Sequence, residues 1–154
     1  MSEKRPPARG RVLVVDDNPV ILKALFSYLV SHGFEVTIAL DGSEVMSCVR
    51  QQKPDVILLD IFFPPYVEGG IIWDGFLILD WLHGPAQAAD IPVIIISSAD
   101  PEKYKERCLS AGARAYFKKP LPLDELIETM LVALTESARK AVAEKNSGLP
   151  TNVS

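Results

Sequence analysis

Residues 12–19 read Val12-Leu13-Val14-Val15-Asp16-Asp17-Asn18-Pro19. Four apolar residues, three of them β-branched, stop abruptly at two carboxylates, and an Asn-Pro pair follows. A run this short and this apolar predicts a strand buried on both faces, as in parallel sheets covered by helices. Asn18 is placed to cap a helix and Pro19 to occupy its first turn, and Ile21, Leu22, Leu25, Tyr28 and Leu29 continue at helical spacing as far as Gly33. The unit is a strand, an acidic turn and a helix.

The unit recurs. Apolar runs at 34–39, 56–59, 93–96 and 115–117 each precede a helical pattern, the second and last of the five runs being the weakest. The second helix is short, with Val45, Met46 and Val49 on one face and an exit at Lys53-Pro54. The third is expected over about 73–83, before Gly84-Pro85. The fourth opens with Asp100-Pro101, carries Tyr104, Cys108 and Ala111 on one stripe and closes at Gly112. The fifth has Leu123, Leu126, Ile127, Met130, Leu131 and Leu134 at helical spacing and runs on toward residue 145. This alternation predicts an α/β fold with a five-stranded parallel sheet covered on both faces. Between the third strand and third helix, residues 62–75 contain Pro64-Pro65, Gly69-Gly70 and several aromatics, which predicts an extended loop over 61–74.

The chain has 154 residues, 48% apolar and 23% charged, which is room for one domain with its own core. Residues 1–9 are expected to form a flexible basic arm, 10–145 the folded domain and 146–154 a flexible tail. Cys48 and Cys108 lack C-x-x-C spacing and are expected to pack as small apolar groups. His32 and His83 stand at helix ends, where imidazole suits the negative end of the dipole, and Trp73 and Trp81 are expected to serve packing. Sixteen Lys and Arg against twenty Asp and Glu give a net charge of -4, the wrong sign for direct nucleic-acid binding. The apolar runs are far too short to cross a bilayer and the N-terminus lacks an apolar signal core, so the expectation is a cytoplasmic protein with no membrane partner.

In open parallel sheets, ligands bind beyond the carboxyl ends of the strands. The residues there are Asp16-Asp17 after the first run, Asp60 after the third, Ser97-Ser98 after the fourth and Lys118-Lys119-Pro120 after the fifth. Three carboxylates brought together repel one another unless some are protonated or a cation sits among them. A hard ion suits an oxygen site that also receives phosphate, so Mg2+ is expected, with Mn2+ as a substitute. Asp60 is then a candidate carboxylate nucleophile, while Lys119 and a serine hydroxyl bind the oxygens of a transferred phosphoryl group. Asp16 and Asp17 as mere helix caps is the plainer reading, but Asn18-Pro19 already supplies a cap.

Together, 12–18, 55–60, 92–97, Ala111-Gly112-Ala113 and 116–120 resemble the receiver domain of two-component response regulators over roughly residues 10–140. The combination is specific although each piece alone is weak. The resemblance implies a flavodoxin-like, doubly wound (βα)5 sandwich with strand order 2-1-3-4-5. It implies Asp60 as phosphoacceptor, Asp16 and Asp17 as the acidic metal site, and the backbone carbonyl of Phe62 as a further ligand. Lys119 would contact the phosphoryl group, and family spacing selects Ser97 over Ser98 as the hydroxyl residue. Tyr116 falls at the aromatic switch position, and Pro120 in a Lys-Pro peptide that is cis in the family.

Two departures from the family pattern stand out. Asp74-Gly75 arrives about seven residues late, lengthening the loop beside Asp60 by ordinary loop standards. Phe62, two residues after the acceptor, lies along the path of attacking water, which implies slow dephosphorylation.

The expected function is a stand-alone receiver that takes a phosphoryl group from a histidine kinase or phosphotransfer protein and changes a surface around 101–134 for a downstream protein, with homodimerisation through that face as a variant. Two alternatives are a receiver-shaped scaffold that is never phosphorylated and a small aspartate-nucleophile phosphatase. The phosphatase chemistry calls for a second carboxylate at position 62, where the chain has Phe62. The scaffold has no physical need for the set Asp16, Asp17, Asp60, Ser97 and Lys119.

Overall fold

The computed structural model describes residues 9–62, 66–68, 71–84 and 90–147. In chain order the elements are β1 (Arg11–Val15), α1 (Pro19–Ser31), β2 (Glu35–Ala39), α2 (Gly42–Gln52), β3 (Val56–Leu59), β4 (Tyr66–Glu68), β5 (Ile71–Trp73), α3 (Gly75–Leu82), β6 (Val93–Ser97), α4 (Pro101–Ser110), β7 (Ala115–Lys118) and α5 (Leu123–Ser147). The main sheet runs β2-β1-β3-β6-β7, all parallel, so its five strands taken in chain order stand 2-1-3-4-5. This is the flavodoxin-like order expected above.

Side-chain alternation divides the core between the two faces. Val12, Val14, Val56, Leu58, Ile94 and Ile96 face α1 and α5, meeting Leu22, Leu25, Leu29, Leu126 and Met130. Leu13, Val15, Ile57, Leu59, Val93 and Ile95 face the other way, toward Val45, Val49, Ile78, Leu79, Leu82 and Cys108. The two weakest runs are the edge strands β2 and β7, which need less apolar cover because one side has no neighbouring strand.

Helix starts follow the sequence signals. Asn18 accepts from the amides of Val20 and Ile21, Asp41 from Glu44, Asp74 from Leu77 and Asp100 from Glu102. His32 and His83 close α1 and α3, each ring nitrogen Nδ1 bonded to the carbonyl four residues back. Gly112, at φ +108°, ends the turn after α4, and a Cβ there would come within 2.7 Å of the His83 ring. Cys108 is buried, whereas Cys48 is partly buried against the core.

The stretch expected as a loop contains a small antiparallel hairpin, in which Tyr66 pairs with Trp73, Val67 with Ile72 and Glu68 with Ile71. Each strand has only three residues, too few to show a period in a sequence punctuated by Pro64-Pro65 and Gly69-Gly70. Trp73 therefore belongs to β5, and α3 begins at Gly75 behind its Asp74 cap. Residues 1–8 of the expected arm, 148–154 of the expected tail, Pro64-Pro65 and Gly69-Gly70 lie outside the described residues, and α5 itself extends through Ser147.

Gly75 fixes how closely α3 approaches the turn after β3. A Cβ at this position would collide with the Cα, carbonyl carbon and oxygen of Ile61, which are backbone atoms with nowhere to retreat. Gly75→Ala is expected to lower unfolding free energy by about 1–3 kcal/mol, the usual cost of overpacking. Urea denaturation measures it, and an unchanged midpoint would mean that the turn carries no such constraint.

Candidate functional site

The sheet register builds the site. Val15 is paired with Leu59, so the next residues on these neighbouring parallel strands, Asp16 and Asp60, emerge side by side at the carboxyl edge. Ser97 is paired with Lys118, and the Lys119 amide donates to the Ser97 carbonyl at 2.7 Å, which brings β7's exit to the same edge. The alternation sorts the side chains. Asp16 and Asp60 continue the row of Val14 and Leu58, whereas Ser97 and Tyr116 continue the opposite row with Ile95.

Asp16 is fully buried, and its two oxygens are both engaged. Oδ1 accepts from the Asn18 amide at 2.9 Å, and Oδ2 from the Lys119 ammonium at 2.7 Å. Asp60 is 6% exposed; its Oδ1 accepts from the Phe62 amide at 2.9 Å and its Oδ2 from Lys119 at 3.1 Å. Asp17 is exposed, yet it offers a carboxylate oxygen so placed that one oxygen from each of Asp16, Asp17 and Asp60 lies within 4.8 Å of the others. Three carboxylates against one ammonium leave a formal charge of -2 in this cluster.

Burial raises the Asp60 pKa above the ordinary carboxylate value, against the opposing pull of the Phe62 amide and the Lys119 charge, and Asp16 adds to the rise by repulsion. Burial draws Lys119 down, but its bonds and charge attraction to Asp16 and Asp60 together outweigh that and hold it above the ordinary lysine value. Converging hard oxygens with a surplus negative charge are the donor set a divalent cation takes, and the fit to magnesium is good on those grounds.

Ser97 is fully buried, and its Oγ accepts from the Ala99 amide at 3.0 Å. The Tyr116 hydroxyl donates to the Ala99 carbonyl at 2.9 Å, and its ring is buried. Burial raises the Tyr116 pKa, while a hydrogen bond with Ser97 opposes the rise. Ser97 and Tyr116 therefore converge at Ala99, on the segment that leads into α4. Ser98 is exposed, and so is Lys118. The Lys119–Pro120 peptide is cis.

Residues not singled out for the site on sequence grounds surround Phe62. Its ring packs edge-on against Tyr104 with centroids 4.9 Å apart and against Phe76 at 6.1 Å, and the Arg107 guanidinium lies 3.7 Å from the centre of the Phe76 ring. Tyr104 is legible in sequence as part of a helical stripe, but a stripe does not say which loop it meets.

A family model for the response regulator receiver domain matches residues 12–131. Protein PilH of Pseudomonas aeruginosa is 36% identical over 125 residues, a match that spans 81% of this chain and 98% of PilH. The DNA-binding dual master transcriptional regulator RpaA of Synechocystis is 29% identical over 137 residues, 89% of this chain but 54% of RpaA. The chain thus spans nearly all of PilH and about half of the longer regulator. Among solved structures, the Francisella response regulator 1452 receiver domain superposes with a TM-score of 0.72 at 30% identity, covering 83% of this chain and 98% of that one. The beryllofluoride-activated receiver domain of Klebsiella pneumoniae RstA gives 0.69 at 26% identity, covering 80% and 97%.

Proposed function

The chain belongs to the response regulator receiver family, and from that premise we propose that it is a phosphorylation-controlled signalling protein whose phosphoacceptor is Asp60. The observation that carries the reading is the shared Lys119 contact: Lys119 bridges Asp16 and Asp60, and of those two only Asp60 keeps an opening to solvent. In the transfer, a carboxylate oxygen of Asp60 attacks phosphorus, the bond from phosphorus to the imidazole nitrogen of a phosphohistidine breaks, and the imidazole leaves with the electron pair. Lys119 holds one phosphoryl oxygen by charge and the Ser97 hydroxyl donates to another, so the developing charge is met at fixed positions. Magnesium, held by Asp16, Asp17, Asp60 and the Phe62 carbonyl, would neutralise the carboxylates and the incoming phosphate.

The donor is a histidine kinase or phosphotransfer protein. The output is a protein partner that reads the face around α4, β7 and α5, reached when Ser97 moves toward the phosphoryl group and Tyr116, whose hydroxyl bonds to the Ala99 carbonyl, follows. Residues 10–145 form the receiver, and the protein works in the cytoplasm, where such kinases present their phosphohistidine. Among the described residues no helix is long and apolar enough to cross a membrane. Phe62, beside the acceptor, slows the hydrolysis that returns the protein to its resting form.

The test is incubation with acetyl phosphate and magnesium, followed by hydroxylamine. An acyl phosphate is cleaved by hydroxylamine whereas serine and tyrosine phosphates are not. The expected result is one phosphoryl group per chain, gained only with magnesium and lost in hydroxylamine. A hydroxylamine-stable product, or no uptake by folded protein, would refute the reading.

A further inference from the structure

Helix α4 is the most lightly anchored of the five. Among its ten residues Cys108 alone is buried, whereas α1, α2, α3 and the described part of α5 each bury three or more. Its second hold is Tyr104, one turn earlier on the same face and half-buried. The ring partner of Tyr104 is Phe62, which remains 47% exposed although it is large and apolar. Phe76, at the start of α3, stands 6.1 Å from Phe62 and 6.3 Å from Tyr104, and Arg107 of α4 covers the Phe76 ring. The backbone of Phe62 meanwhile donates to Asp60 Oδ1 at 2.9 Å. One residue therefore grips the acidic site by its amide and α4 by its ring.

We propose that Phe62 is a mechanical link between the phosphoacceptor turn and α4, acting through Tyr104 and Phe76. The inference rests on the reading of Asp60 as acceptor and adds a route to it. Formation of an acyl phosphate on an Asp60 oxygen moves negative charge from the carboxylate to the phosphoryl group and weakens the carboxyl as an acceptor for the Phe62 amide. The turn at 60–62 then resets, the ring moves with it, and the middle of α4 follows. This route is separate from the hydrogen bonds of Ser97, Ala99 and Tyr116, which hold the segment before α4. Weak anchorage makes the helix responsive, since elements with few buried contacts reorganise most readily.

Hydrogen–deuterium exchange of the α4 amides tests it, on the full chain, at rest and with magnesium and beryllofluoride as a phosphoryl mimic. In the resting protein, Phe62→Ala and Tyr104→Ala are expected to speed α4 exchange roughly threefold to tenfold, the worth of one aromatic pair, whereas Tyr104→Phe keeps the ring and the wild-type rate. The change in α4 exchange that beryllofluoride causes in the wild type is expected to shrink at least about threefold in both alanine variants. Unchanged resting exchange in Phe62→Ala overturns the link, as does a full beryllofluoride response in that variant. A wild-type protein that neither binds beryllofluoride nor takes up a phosphoryl group overturns the acceptor reading instead, and the resting rates then decide by themselves whether Phe62 anchors α4.

Discussion

Asp60→Asn is expected to gain no phosphoryl group from acetyl phosphate and magnesium where the wild type is modified, a fall of roughly 10³-fold or more, as for removal of other nucleophiles. The substitution keeps the shape of the side chain and an oxygen that can accept from the Phe62 amide, so the turn after β3 is preserved. It removes a buried carboxylate that desolvation and Asp16 both disfavour, while Lys119 retains its shorter bond to Asp16. The two changes oppose each other, and stability is expected to stay within about 1 kcal/mol of the wild type. A folded Asp60→Asn protein that still takes up one phosphoryl group would move the acceptor to Asp17, which is exposed whereas Asp16 is fully buried.

Lys119→Ala is expected to cost the most stability of any single change at the site. Lys119 is about a tenth exposed and bridges one fully buried carboxylate and one nearly so, leaving little water to screen their charge once it is gone. Removing one member of a buried ion pair typically costs about 3–5 kcal/mol, and that is the loss expected in metal-free buffer near neutral pH. Magnesium should recover a substantial part of it by supplying the missing positive charge among the same oxygens.

The deficit also depends on pH. Asp60 already has a raised pKa, and losing Lys119 raises it further, so the folded variant holds its proton more tightly than the unfolded chain. The penalty is therefore complete above the raised folded value and shrinks as pH falls through it toward the ordinary carboxylate range. Urea denaturation at several pH values, with and without magnesium, checks both dependences. A variant as stable as the wild type without metal would mean that the carboxylates are not held against each other by Lys119.

How much of this was legible in the sequence follows from what sets each feature. The strands of the sheet were readable because β1, β3 and β6 are covered on both faces and so contain almost nothing but Val, Ile and Leu. The site residues were readable as positions, because polar residues directly after such strands can only lie at the carboxyl edge. Their contacts were not. Lys119 lies 103 residues from Asp16, and nothing local to either says that they meet at 2.7 Å. The hairpin of β4 and β5 is not legible in the sequence because its pairing is decided by partner register rather than by a period within either strand. Tyr104 looked like core from its spacing, and only the placement of α4 against the turn after Asp60 makes it a partner of Phe62.

The most direct measurement is reductive trapping of the modified residue. Protein incubated with acetyl phosphate and magnesium is treated with borohydride, which reduces an aspartyl phosphate to homoserine, and the converted position is mapped by peptide mass spectrometry. The expected result is homoserine at residue 60, absent when magnesium is withheld. Conversion at Asp16 or Asp17, or no conversion anywhere in a folded protein beside a receiver that is converted under the same conditions, would contradict the assignment of Asp60 as the phosphoacceptor.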